Sequence, residues 1–188
     1  KTLSFNSNLL NVTPQEFNSE RLKDIKHNLE RTKELVNSFD FKEYQNAKEQ
    51  IKTMRNGFEK SQLEELVYHQ DRWRNVTRDR VAETISEVVE HEYGHFLHFT
   101  VSDEARSMGL LNKGEYLIGE KKLKYFHGTG VFSKTYTKAQ SAKVSAYATE
   151  NAFETIAESF VAYRKGIEIP DEFREVIEEI IRLSKEVL

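Results

Sequence analysis

The 188-residue chain has no cysteine. That excludes disulfides, thiolate metal ligands and a cysteine nucleophile, and leaves the redox compartment undetermined. It has no run of about 18 apolar residues, so nothing in it is expected to span a membrane. It has no large charge of one sign either: at a net −3, no global field draws it to nucleic acid or to a lipid surface. It begins at Lys1 rather than Met, and is expected to be a processed form or part of a longer polypeptide. What remains is 38% apolar and 31% charged, a composition that reads as globular and rather helical. Repeats and low-complexity tracts are missing as well.

Against that plain background one stretch carries chemistry, Val88-Val89-Glu90-His91-Glu92-Tyr93-Gly94-His95-Phe96-Leu97. It contains H-E-x-x-H, the helix-borne pattern of a zinc site with its own general base. Residues four apart on a helix share a face, so His91 and His95 can turn ring nitrogens toward one Zn²⁺ ion. Glu92 is rotated by roughly 100° from His91, within reach of a water at the metal without being a ligand. The helix is expected to start at a Thr77 cap, with Asp79 in its first turn, and to run to about Val101. On that wheel Val81, Ala82, Ile85, Val88, Val89, Phe96 and Phe99 form the apolar stripe. Glu92 falls inside the stripe and the histidines along its edge. A carboxylate on a buried face costs several kcal/mol unless it is paired or coordinated, so the pattern reads as a site.

The first half of the chain reads as scaffold. Residues 1–13 alternate loosely, as a short strand would. Thr13, Pro14 and Glu16 then open a helix as cap, first position and capping-box partner, and it runs to about Ser38. Asp40 caps a second helix that stops near Gly57, and Ser61 opens a third spanning Leu63 to Trp73. The dense mixed charge here is the solvated face of amphipathic helices. His27 and His69 are expected at the surface, and Trp73 beneath the stems of Arg72 and Arg74.

Between Gly109 and Lys134 fall five of the eight glycines, with Tyr116, Tyr125, Phe126 and Phe132 interleaved, which predicts loops with one or two short strands. The region from Lys113 to Lys143 is lysine-rich. It suits a substrate loop or an ordinary solvated one, and its lack of arginine and of any nucleic-acid module argues against nucleic acid. An anionic partner bound through Lys121, Lys122 and Lys124 is the binding-protein alternative.

A catalytic zinc takes three protein ligands and keeps a position for water. His98 is on the same helix, but three ligands over two turns of one straight helix surround an ion poorly, so it is expected at the helix surface or beside a ligand. His127 sits on a glycine-flanked loop that would hold it badly. Ser145 to Phe160 offers Glu154 and Glu158, one turn apart beside a stripe of Phe153, Ile156, Ala157, Phe160 and Val161. A capping box with Asn151 also explains Glu154. Both readings hold only if that carboxylate turns away from its own helix end. A final amphipathic helix starts at Pro170-Asp171, with Phe173, Val176, Ile177, Ile180, Ile181 and Leu183 on its apolar side.

The pair His91-Glu92-Tyr93-Gly94-His95 and Ser145-x-Tyr147-Ala148-x-x-Asn151-x-x-Glu154-x-x-Ala157-Glu158-x-Phe160 resembles the anthrax lethal factor type of zinc endopeptidase. It is also similar to the Pro-Pro endopeptidases of clostridia and to metallopeptidase-like domains attached to phage head-morphogenesis proteins. The resemblance covers about residues 80–165. It implies that Glu154 is the third zinc ligand, that Tyr147 steadies the oxyanion, and that Glu158 orients a ligand histidine, with Asn151 supporting the site. Thr155-Ile156 departs from the aromatics common in that family.

The expectation is therefore a mainly α (α+β) zincin-like fold with an active-site helix, a second Glu-bearing helix, a small strand and loop region and an amino-terminal helical part. Residues 1–75 would form that helical part and 76–188 the peptidase domain, either as two units or as one. The expected activity is zinc-dependent hydrolysis of a peptide or protein substrate. The alternative is a catalytically silent module in the assembly of a phage or mobile-element protein. A bacterial or phage origin is implied, cytoplasmic or virion-associated rather than secreted.

Overall fold

The structure, a computed structural model, describes residues 13–113, 115–116 and 138–188. Among them the chain is mainly helical, without a strand. The strand expected near the amino terminus, the strands expected after Gly109, His127 and most of the lysine-rich loop lie outside the described residues. No described helix is long and apolar enough to cross a membrane.

Helix α1 (Pro14–Ser38) starts as its sequence dictates, with a full capping box between Thr13 and Glu16 and a proline in its first turn. Helix α2 (Phe41–Thr53) is capped by Asp40, whose carboxylate accepts from the amides of Lys42 and Glu43. Helix α3 (Phe58–Arg74) begins three residues before the expected Ser61, directly after Gly57. It pairs with α2 and touches α1, and the Tyr44 hydroxyl bonds Asp71 across the α2–α3 seam. Arg72 lies 4.5 Å above the Trp73 ring, the stacking that the flanking arginines implied.

Helix α4 (Ile85–Ser107) carries the H-E-x-x-H motif and starts seven residues later than a Thr77 cap would place it. Its cap is Thr84, with Glu87 closing the box. Residues 78–81 are used differently: the carbonyls of Arg78 and Asp79 accept from the amides of Ala146 and Tyr147 at 3.0 and 2.9 Å. Long-range backbone bonding thus overrides a plausible local cap. Helix α1 braces the new start, Asn18 accepting from the Ile85 amide at 2.8 Å and Arg21 donating to the Ala82 carbonyl at 2.8 Å.

The buried face of α4 also differs from the expected stripe. It consists of His91, Gly94, Leu97, His98, Val101, Ser102 and Ala105, a face rotated by roughly 160° from the expected apolar stripe. Val89 is exposed, and Glu92 is half-buried on the flank rather than central. The cause is the partner helix. Helix α6 (Ala152–Arg164) is buried on almost every side and packs closely on α4, where a methyl group at Gly94 would meet the Cβ of Phe160 at 3.2 Å. Small and polar residues line the seam because two backbones approach there.

A short turn of helix, α5 (Lys138–Ser141), and a 3₁₀ turn at Tyr147–Thr149 lead into α6. Helix α7 (Asp171–Val187) closes the core, burying Phe173, Val176, Ile177 and Ile180 against α4 and α6. Each such side chain contributes about 1.5–3 kcal/mol on burial. Helices α4 and α6 both end in a left-handed glycine, Gly109 and Gly166, that lets the last carbonyls accept from the following amides.

Candidate metal centre

The site lies where the middle of α4 meets the first turn of α6. One helical turn separates His91 from His95, and their Nε2 atoms converge on a single oxygen of Glu154, at 3.0 and 3.5 Å. Ligand atoms of the three residues all fall within 4.8 Å of one another, the spacing of a group able to hold a metal ion.

Glu154 reaches the histidines because of how α6 begins. Asn151 caps the helix, its side-chain oxygen accepting from the amides of Phe153 and Glu154 at 2.9 and 3.0 Å. In a full capping box the Glu154 carboxylate would return to the Asn151 amide. Here it turns outward to α4 instead. The cap is present while the carboxylate faces both histidines, and Asn151 fixes the turn that carries Glu154.

His91 is held from both sides. Its Nδ1 lies 3.3 Å from Glu158, a carboxylate with no exposure at all. The other oxygen of Glu158 accepts from the Val81 amide at 2.6 Å and from the Ser145 hydroxyl at 2.7 Å. One buried side chain thereby ties α4, α6, the 78–81 segment and the start of the 145–149 turn together. With its proton on Nδ1 facing Glu158, His91 presents Nε2 as a lone-pair donor. His95 is oriented by stacking, its ring lying nearly parallel to Phe99 with centroids 5.9 Å apart.

Tyr147 closes one side, its ring 5.9 Å from that of His91. Arg80 covers the opposite face of the site wall, with its guanidinium carbon 4.3 Å from the centre of the Tyr147 ring. Burial, then the charge of Glu154, pushes the Tyr147 hydroxyl above its ordinary value against the pull of Arg80. It stays protonated, and so a donor, across the neutral range. Glu92 is half-buried and makes no hydrogen bond or ion pair with another described residue, but its charge is felt at Tyr147. Its carboxylate is therefore uncommitted on the same side of α4.

His98 is neither a ligand nor a surface residue. It is almost fully buried, packed among Phe99, Tyr116 and Phe153. His27 and His69 are exposed, as expected. Sequence reasoning missed Arg80 and the Val81 amide, and quoted Ser145 within the motif without giving it a role. Ser145 was visible two residues before Tyr147; Arg80 carried no signal of its own within the Arg78-Asp79-Arg80 cluster.

In the metal-free protein these contacts have a measurable consequence. Burial pulls the His91 imidazole down, but its bonds to Glu154 and Glu158 outweigh this and hold it at about 9, above the ordinary 6.5. Burial pushes the Glu154 carboxyl up, and its bonds to His91 and His95 bring it down to about 2 from the ordinary 4.5. A raised histidine contributes stability that is complete below 6.5 and is lost as pH rises through 9. A depressed carboxylate contributes stability that is complete above 4.5 and is lost as pH falls through 2. The thermal midpoint of chelator-treated protein should therefore be highest between 4.5 and 6.5 and decline on both sides. A midpoint that does not fall from pH 6.5 to 9 would mean that His91 is not held charged in this way.

No protein-family model, curated protein or solved structure matches this chain.

Proposed function

We propose that the chain is a zinc-dependent endopeptidase of zincin-like design, with His91, His95 and Glu154 as ligands. The observation that carries this reading is the convergence of two imidazole nitrogens on one carboxylate oxygen at 3.0 and 3.5 Å. Those separations bracket the edge of a tetrahedron with ligands about 2.0–2.1 Å from its centre, roughly 3.3 Å. The donor set of two neutral nitrogens and a carboxylate is also a common catalytic zinc set. Two carboxylates, Glu154 and Glu158, face the two imidazoles, a negative balance that a divalent cation offsets.

A zinc ion held there supplies Lewis acidity for the attack of water on a peptide carbonyl. Glu92 takes the proton of the attacking water and passes it to the leaving amine. The Tyr147 hydroxyl donates to the carbonyl oxygen as negative charge builds on it, an interaction worth a few kcal/mol in comparable sites. Glu158 holds His91 in register, Asn151 places Glu154, and Arg80 braces the Tyr147 ring.

The test is zinc content followed by cleavage. One zinc per chain should survive dialysis of the purified protein, and Glu154→Ala should lose it with helix content unchanged. Loss of a true ligand should exceed the 10–100-fold fall in affinity typical of an outer partner. Zinc retained by Glu154→Ala at unchanged affinity would remove Glu154 from the ligand set. A wild-type protein that binds no zinc would overturn the reading altogether.

A further inference from the structure

Helix α1 and the end of α3 do more than support the fold. With the 79–80 and 146–150 segments they line an open cavity of about 460 Å³. Its walls include Asn28, Arg31, Thr32, Trp73, Arg80 and Tyr147. Tyr147 belongs to the metal site on its other side, with its ring 5.9 Å from His91. Tyr147 thus borders both the cavity and the ligand cluster.

The charges in the cavity do not cancel evenly. Asp79 is engaged by Arg80 at 3.3 Å and by Asn28 at 3.5 Å. Glu150, also on the wall, faces Arg72 at 3.6 Å. Arg31 is exposed and has no anionic partner among the described residues. The uncompensated charge at the cavity is therefore positive. The indole of Trp73 adds an apolar surface, and its Nε1 is buried without a hydrogen-bond acceptor among the described residues. A ligand that fits offers an acceptor-rich, negatively charged end on a short apolar stem.

Resting on the peptidase reading above, we propose that this cavity is a substrate subsite for an acidic side chain, glutamate before aspartate, with Arg31 as its specificity-determining charge. The substrate chain then crosses the metal site past Tyr147 and drops this side chain between α1 and Trp73. The amino-terminal helices then contribute to substrate choice.

Trp73 is the only tryptophan in the chain, so its emission reports on the cavity without any need for turnover. Zinc-loaded protein carrying Glu92→Gln is titrated with tryptophan-free hexapeptide pools in which one scanned position is fixed as Glu, Gln or Lys. The Glu-fixed pool should perturb Trp73 emission with about fivefold tighter binding than the Lys-fixed pool, the scale of one exposed charge pair. Arg31→Glu, a substitution on an exposed turn of α1, should reverse that order. Equal binding of the three pools, an order unchanged in Arg31→Glu, or no emission change with any pool would each overturn the proposal. Cleavage by wild-type protein is scored separately. An Arg31-dependent preference without cleavage keeps the subsite and ends the peptidase reading, whereas cleavage without charge preference does the reverse.

Discussion

Glu92→Gln should lose peptide hydrolysis while keeping its zinc and its fold. The amide cannot take a proton from water, and general-base catalysis of this kind contributes about 10²–10⁴ in rate. The fall in kcat/KM should lie at the upper end of that range, because no other described carboxylate at the site is free to substitute. Glu154 faces the two histidines, and Glu158 is fully buried and committed to Val81 and Ser145. Stability should hardly change, within the ±0.5 kcal/mol usual for positions without such partners, since Glu92 is only half-buried. Steady-state cleavage of a quenched peptide pool, beside zinc content and a melting curve, separates these effects. A variant retaining a tenth or more of wild-type activity would assign the base elsewhere. Zinc-replete wild-type protein that cleaves no pool would instead favour the silent-module alternative.

The largest effect on stability should come from Glu158→Ala. This substitution strips the acceptor from the Val81 amide and the Ser145 hydroxyl, bonded at 2.6 and 2.7 Å, and leaves His91 Nδ1 facing a void. Breaking a buried charged network by removing one partner costs about 3–5 kcal/mol, against a total stability of about 5–15 kcal/mol. For a chain of this size, that should lower the thermal midpoint by about 10 °C. Glu158→Gln keeps one carbonyl acceptor and should lose less. The loss should persist after chelation, because the network joins backbone segments irrespective of the metal. A Glu158→Ala protein within 1 kcal/mol of wild type in urea denaturation, on the order of a single hydrogen bond, would show that the buried carboxylate is not holding those segments together.

How much of this was legible in the sequence depended on where the determining contacts lie. Helices α1, α2, α6 and α7 have their starts written locally, in Thr13-Pro14, Asp40, Asn151 and Pro170-Asp171, and those expectations match the structure. The three residues that converge, His91, His95 and Glu154, were all singled out by the sequence, with the ligand role of Glu154 implied only by family resemblance. The start and phase of α4 were not legible. Thr77 and Thr84 both look like caps, and the choice was made by amides 68 residues away along the chain, those of Ala146 and Tyr147, together with Asn18 on α1. The buried face of α4 is polar and small because its neighbour is α6, a fact that hydropathy along α4 does not contain. The role of α1 at the cavity was hidden for the same reason. Arg31 reads as one charge among many on an amphipathic helix.

Gly94 has a consequence beyond packing. It stands between His91 and His95 in the motif, and its missing side chain is what allows Phe160, and with it the rest of α6, to come within 3.2 Å of where a Cβ would sit. Glu154 rides on that same helix, six residues earlier. The motif therefore supplies two of the three converging side chains and, through its glycine, helps set the distance to Glu154. In ionic terms, the aperture of the cage is set by one absent methyl group. A wider seam would move Glu154 away from both nitrogens together and suit a cation of larger radius. On the proposed reading, the glycine would suit the spacing of His91, His95 and Glu154 to an ion as small as zinc.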